Sequence, residues 1–183
     1  PDIDFSNGTN FHSTFSYNHA LKSFSSGVDF SSATGCNSMF YYNHNLEGVP
    51  EFYAPNLTDC RNMFYYCSSL KQVTVNFPNA YYVDSCFFAD LRVEKITIKS
   101  LGGNPTNFNR FIRSCHSLKE IDWKSSEADT ANGTNFADAF AYNTVMTKYP
   151  TITTTAATGC GTMFTANYLL NKVPKKYLNV SAK

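Results

Sequence analysis

The feature that most constrains this chain is a period of about 25 residues. A Phe column falls at Phe15, Phe40, Phe64, Phe87, Ile112, Phe140 and Phe164, with gaps of 25, 24, 23, 25, 28 and 24 residues. Six residues later stand Leu21, Leu46, Leu70, Val93, Leu118, Met146 and Leu170. Three more reach Phe24, Val49, Val73, Ile96, Ile121, Tyr149 and Val173. Four upstream of the Phe column lie Phe11, Cys36, Cys60, Val83, Phe108, Phe136 and Cys160. Four columns kept apolar through seven registers define a repeat array. The longest gap carries the polar stretch from Lys124 to Asn132, where a loop absorbs an insertion.

Two local periods sit inside each unit. From Cys60 to Phe64 apolar residues fall at i, i+3 and i+4, the spacing of a helical turn or two. Val73-Thr74-Val75, Ile96-Thr97-Ile98 and Ile121-Asp122-Trp123 alternate with period two and read as short strands. The expected fold class is therefore an α/β solenoid, with one short parallel strand and one short helix in each of about seven repeats. Its parallel crossovers are expected to wind as a right-handed superhelix. One such unit cannot bury its apolar face, whereas stacked units share a continuous core. At strand spacing the sheet would span roughly 30 Å. Residues 1–183 are read as a single domain, probed for weak points by proline. Pro50, Pro150 and Pro174 follow the Val column and remove ladder donors, so the sheet is expected to be regular in the middle and frayed at both ends.

Composition narrows the functional classes. With 15 basic against 14 acidic residues and a net charge of +1, nothing is clustered to displace counterions, which argues against nucleic acid. No apolar run reaches the length of a membrane-spanning helix, so membrane insertion is not expected. The sequence starts at Pro1 without a charged-then-apolar leader, which suggests a chain processed or cut from a longer protein.

The segments MFYYNHNLEGVPEF, NLTDCRNMFYYCSSLKQVTV and CHSLKEIDW resemble the BspA-type leucine-rich repeats. They are also similar to the related repeat of mycoplasma surface proteins, through Met39-Phe40, Met63-Phe64, Cys67-Ser68-Ser69-Leu70 and Met163-Phe164. The likeness runs from about Asn10 to Tyr177. It weakens in the fourth and sixth repeats, where Asp90 and Val93, then Ala139 and Met146, replace the usual types. The resemblance implies a leucine-rich-repeat-like solenoid, extracellular or on a cell surface, that serves in adhesion and binds a host or microbial surface protein or glycan. Alternatives are a bacteriophage virion or tail component that recognises its host, and a structural spacer. The resemblance carries no catalytic residues.

The chemistry-bearing residues follow the same columns. All six cysteines lie on repeat columns, Cys36, Cys60 and Cys160 in one, Cys67 and Cys115 in another and Cys86 in the column of Met39 and Met63. This suits buried free thiols, and Cys36 with Cys60 is the one pair to watch for a bridge. Cys67 and Cys115 share their column with Asn18, Asn43, Asn143 and Asn167, at the turn before the strand. His19, His44 and His116 form another column. Neither they nor Asp2 and Asp4 complete a metal-ligand set, so no metal and no cofactor is expected. Glu47, Glu51, Glu94, Glu120 and Asp122 are scattered over different rungs, and no phosphate loop or nucleophile elbow is present. The chain is read as a binding protein, not an enzyme.

Two surfaces are candidates for the ligand. In the strands Gln72 and Thr74, then Lys95, Thr97 and Lys99, then Glu120, Asp122 and Lys124, point away from the core and should stack into one polar patch. The alternative is the strip Tyr17, Tyr42, Tyr66 and Tyr142, two residues past the Phe column, suited to stacking on sugars or packing on a partner. Since Phe11 and Phe15 open a unit almost at once, the N-terminal end should need a cover. A neighbouring domain or subunit could supply it, or Pro1 to Thr9 folded back as a cap.

Overall fold

The alternation in QVTVN, KITIKS and EIDW turns valine and isoleucine inward and polar residues outward, and these segments form the regular part of the structure. The computed structural model describes residues 4–124 and 127–171. In chain order the strands are β1 (Phe52–Tyr53), β2 (Gln72–Asn76), β3 (Phe87–Phe88), β4 (Lys95–Ser100), β5 (Ile112–Arg113) and β6 (Glu120–Trp123). A parallel sheet runs β1-β2-β4-β6, and β3 pairs with β5 in a second, two-stranded one. The register places Val73 beside Ile96 and Ile96 beside Ile121, so the Val column of the sequence is a column in space. The described chain is a parallel β-solenoid.

Beyond these strands the rungs remain in register. Single parallel bridges join Asn10 to Gly35, Gly35 to Asp59, Asp59 to Tyr82, Asn107 to Asn135 and Asn135 to Gly159. The strands are confined to the middle of the stack, as the prolines require. On the N-terminal side β1 begins after Pro50, and the first rung meets the second on this face through the lone Ser23–Gly48 bridge. No strand follows Pro150 among the described residues. Val173 and Pro174 lie outside the described residues, as do Asp2 and Tyr177.

The expected helix in each repeat is not formed. The only helical segment among the described residues is a 3₁₀ turn, Glu127–Thr130. The stretch read as helical is a pair of tight turns. In the second rung Met39, Tyr41 and Asn43 N–H donate to the carbonyls of Cys36, Ser38 and Phe40, each three residues back. The intervening Cys36, Ser38, Phe40 and Tyr42 N–H donate instead to Asp59, Arg61, Met63 and Tyr65 of the next rung. From Ser38 to Asn43 the amides are thus satisfied, alternately within the turn and between rungs. Two residues per rung take left-handed φ to close these turns, in the columns of Ser38 (φ 56°) and Tyr42 (φ 59°), and both columns do so in every rung. Tight turns return the chain to the core every three or four residues, which reproduces a helical apolar spacing without a helix.

The interior is a stack of like on like. Phe40, Phe64, Phe87 and Phe140 are buried, Phe15 and Phe164 at the two ends are half-buried, and Leu46, Leu70 and Leu118 are buried beside them. Successive rings lie nearly parallel, with centroids 5.8 Å apart for Phe15–Phe40, 5.4 Å for Phe40–Phe64 and 5.5 Å for Phe64–Phe87. A further column, Phe5, Phe30, Ala54, Phe77 and Leu101, closes each of the first five rungs at its remaining corner. Phe5 belongs to the first rung itself and sets its ring edge-on to Phe11 and Phe15, covering part of that end.

Candidate functional site

The sheet face carries the polar patch that the strand alternation implies. Gln72, Lys95 and Glu120 are in register across β2, β4 and β6, and Thr74, Thr97 and Asp122 form the next row. Its charges are already matched. Lys95 Nζ lies 3.1 Å from Glu120 and 3.3 Å from Asp122, and Lys124 Nζ is 3.0 Å from Asp122. Lys99 reaches across to Glu51 at 2.6 Å. Flanking the patch, Lys71 pairs with Glu47 and Lys119 with Glu94. The hydrogen bond from Lys124, with help from Lys95, holds the Asp122 carboxyl below its ordinary range, and bonding to Glu120 and Asp122 holds Lys95 above its own. Exposed pairs of this kind contribute little stability. Their consequence is electrostatic, because an incoming charge meets a surface that has neutralised itself.

The turn face is different. The Tyr17, Tyr42 and Tyr66 rings stack one on the next, with centroids 5.4 and 4.8 Å apart and planes within 25° of parallel. A second ladder runs beside them: Tyr41 on Tyr65 at 4.9 Å, then Tyr65 on Phe88 at 4.6 Å. The column of Tyr42 holds Ala89 and Ser114 before Tyr142 is reached, so the strip expected from sequence is interrupted. Arg113 spans that gap, its guanidinium 5.3 Å from the Phe88 ring centre and 4.9 Å from that of Tyr142. Tyr17 is 59% exposed and Tyr142 38%, while Tyr42 and Tyr66 are half-buried. Burial raises the Tyr41 and Tyr65 hydroxyls above the ordinary phenol range.

This stacking decides which ring surfaces the strip presents. The faces of the tyrosine rings cover one another, so a sugar cannot stack on them within the ladder. What the strip offers is ring edges and hydroxyl rims repeated at rung spacing. Tyr41, Tyr65, Phe88 and Arg113 were not singled out from sequence. Their signal was the doublets Tyr41-Tyr42 and Tyr65-Tyr66, which put a second aromatic residue one place past the Phe column.

Other candidates resolve simply. All six thiols are free, Cys36 and Cys60 included, and all but the half-buried Cys160 are buried. The His19 and His44 rings stack at 5.3 Å, and His44 Nδ1 lies 3.2 Å from Ser68 Oγ. No group of three metal-ligating side chains occurs among the described residues. A cavity of about 210 Å³ opens where Phe24, Phe30, Phe40, Val49 and Phe52 surround the irregular early strands, with Asp29 and Glu51 also lining it. Comparison with protein families, with curated proteins and with solved structures finds no match for this chain.

Proposed function

We propose that this chain is a non-catalytic recognition module whose partner docks on the aromatic turn face. The observation that carries this reading is the double ladder of Tyr17, Tyr42, Tyr66, Tyr41, Tyr65 and Phe88, extended by Arg113 toward Tyr142. Aromatic residues and arginine are the types enriched where proteins bind proteins, since they bury much area for little lost side-chain freedom. With ring faces already occupied, the surface suits a protein partner better than a stacked sugar. The solenoid orders this surface before binding, which lowers the entropic cost of association.

The resemblance noted in the sequence supports the finer reading: a leucine-rich-repeat-like adhesion protein, secreted or held at a microbial surface, with a phage virion component as the alternative. The test is a protein and glycan binding array probed with three proteins: the wild type, a Tyr42→Ala/Tyr66→Ala variant and a Thr97→Arg/Asp122→Arg variant. The proposal expects a protein ligand whose binding is lost with the tyrosines and kept with the arginines. Loss with the arginine variant alone would move the site to the sheet face, and capture of glycans alone would refute a protein partner.

A further inference from the structure

One buried column of the solenoid runs through Asn43, Cys67, Asp90, Cys115, Asn143 and Asn167. From Cys67 onward the positions face two tasks toward the rung before them, whereas Asn43 performs only the second, its Oδ1 having no hydrogen-bond partner. The first is to accept the N–H of the preceding column residue. Asp90 Oδ1 takes it from Cys67 at 2.9 Å, Asn143 Oδ1 from Cys115 at 2.9 Å and Asn167 Oδ1 from Asn143 at 2.8 Å. The thiols do the same, Cys67 for the Asn43 N–H and Cys115 for the Asp90 N–H. The second task is to donate to the Phe-column carbonyl of that rung. Asn43 Nδ2 donates to Phe15 O at 2.9 Å and Cys67 Sγ to Phe40 O at 3.1 Å. Cys115 Sγ donates to Phe87 O at 3.2 Å, and Asn143 and Asn167 Nδ2 to Ile112 O and Phe140 O, each at 2.8 Å.

Asn143, Asn167 and the two cysteines perform both tasks, since each side chain has a donor and an acceptor. An ionised aspartate has acceptors only. Yet Asp90 is fully buried, its Oδ2 has no hydrogen-bond partner, and the carbonyl left for its rung is that of Phe64. Among the described residues Phe64 O accepts the turn bond from Cys67 N–H and no side-chain donor.

We propose that Asp90 is a proton-binding site built into this ladder: it is held as a neutral carboxylic acid whose Oδ2–H donates to the Phe64 carbonyl. The proton supplies the donor that every other described member of the column has. The titratable groups facing Asp90 are the thiols of Cys67 on the preceding rung, Cys86 on its own and Cys115 on the next, and no cation is among them. Ionisation would therefore bury an uncompensated charge. Burial pushes the carboxyl well above its ordinary value, and only the Cys67 N–H opposes this. A group raised in the folded state gives stability that is complete below its unfolded value and is lost as pH rises through the folded one. Asp90 is thus a lock that loosens as the solution becomes alkaline.

The test reads the proton directly in the intact wild-type chain. With aspartate labelled at Cγ, one carboxyl carbon keeps the carboxylic-acid chemical shift at pH about 7, where ordinary aspartates are ionised, and this signal is missing from Asp90→Asn. Asparagine is the residue this column uses at 43, 143 and 167, so Asp90→Asn should melt at or above the wild type, by a margin that widens as pH rises. A carboxylate shift for Asp90 at neutral pH would overturn the proposal. So would an Asp90→Asn variant that melts well below the wild type, because an ionised acceptor would then be what the rung requires.

Discussion

Phe64 lies face to face with Phe87, ring centroids 5.5 Å apart and planes 6° from parallel. Phe40 covers its other face at 5.4 Å. A ring held between two others leaves a void that neither neighbour can fill by moving along the stack, because backbone hydrogen bonds fix the rung spacing. Phe64→Ala is expected to destabilise the protein by about 3–5 kcal/mol in urea unfolding. A loss below about 1 kcal/mol would mean the column is not the core.

The thiols should be sluggish toward alkylating reagents in the native state. Burial raises Cys67, Cys86 and Cys115 well above the ordinary thiol value and pushes Cys36 up to about 12. Little thiolate is then present at neutral pH, and it is the thiolate that reacts. Mass spectrometry after brief native labelling should find Cys160, the half-buried one, modified first. Early modification of Cys67 or Cys115 would show the ladder to be open.

Alkaline titration should report on the buried hydroxyls of the second aromatic ladder. Tyr41 and Tyr65 are raised, chiefly by burial, so their stabilising contribution is whole below the ordinary phenol value and is lost as pH climbs past it. In an ultraviolet titration of the folded protein these two should ionise late together with Tyr149, which burial also raises, and Tyr41→Phe/Tyr65→Phe should reduce the late component to the share of Tyr149. An unchanged late component in that variant would place the buried hydroxyls elsewhere.

Arg113 should matter to the turn face more through packing than through charge. Its ion pair with Asp138 is long, 3.7 Å, whereas its guanidinium lies over both Phe88 and Tyr142. A planar guanidinium spans two rings better than an ammonium does. Arg113→Lys is therefore expected to lower stability nearly as much as Arg113→Ala, on the order of 1 kcal/mol. Full rescue by lysine would assign the residue to its charge.

The repeat, its register and the strands were legible in the sequence because side-chain chemistry repeats where side chains stack. The Val73, Ile96 and Ile121 column needed only the alternation of burial. The turn pair was not legible for a physical reason: Cys60, Met63 and Phe64 keep the same apolar spacing in a helical turn and in successive tight turns. What separates the two is backbone φ, and the residues at positive φ include serine, tyrosine, asparagine, arginine and alanine but no glycine in either column. Without glycine to mark it, a left-handed position leaves no trace in composition. The site followed the same rule. Tyr17, Tyr42 and Tyr66 were found as a column, whereas their second ladder and the neutralised charges of the sheet depend on contacts between columns.

The turn pair presents the tyrosines and sets the rung spacing, so its geometry is the claim on which the rest stands, and Ser114 tests it most directly. This half-buried residue has φ 61° and donates its N–H to Ala141 O of the next rung at 2.9 Å. Glycine and alanine both remove its hydroxyl, so comparing Ser114→Gly with Ser114→Ala isolates the effect of a Cβ on the backbone. At a left-handed position glycine avoids a steric cost of roughly 1–2 kcal/mol, partly offset by its freer unfolded chain. In a helix alanine would be favoured by about 1 kcal/mol instead. Urea unfolding should find Ser114→Gly the more stable of the two. A more stable Ser114→Ala would contradict the turn pair and restore the helix.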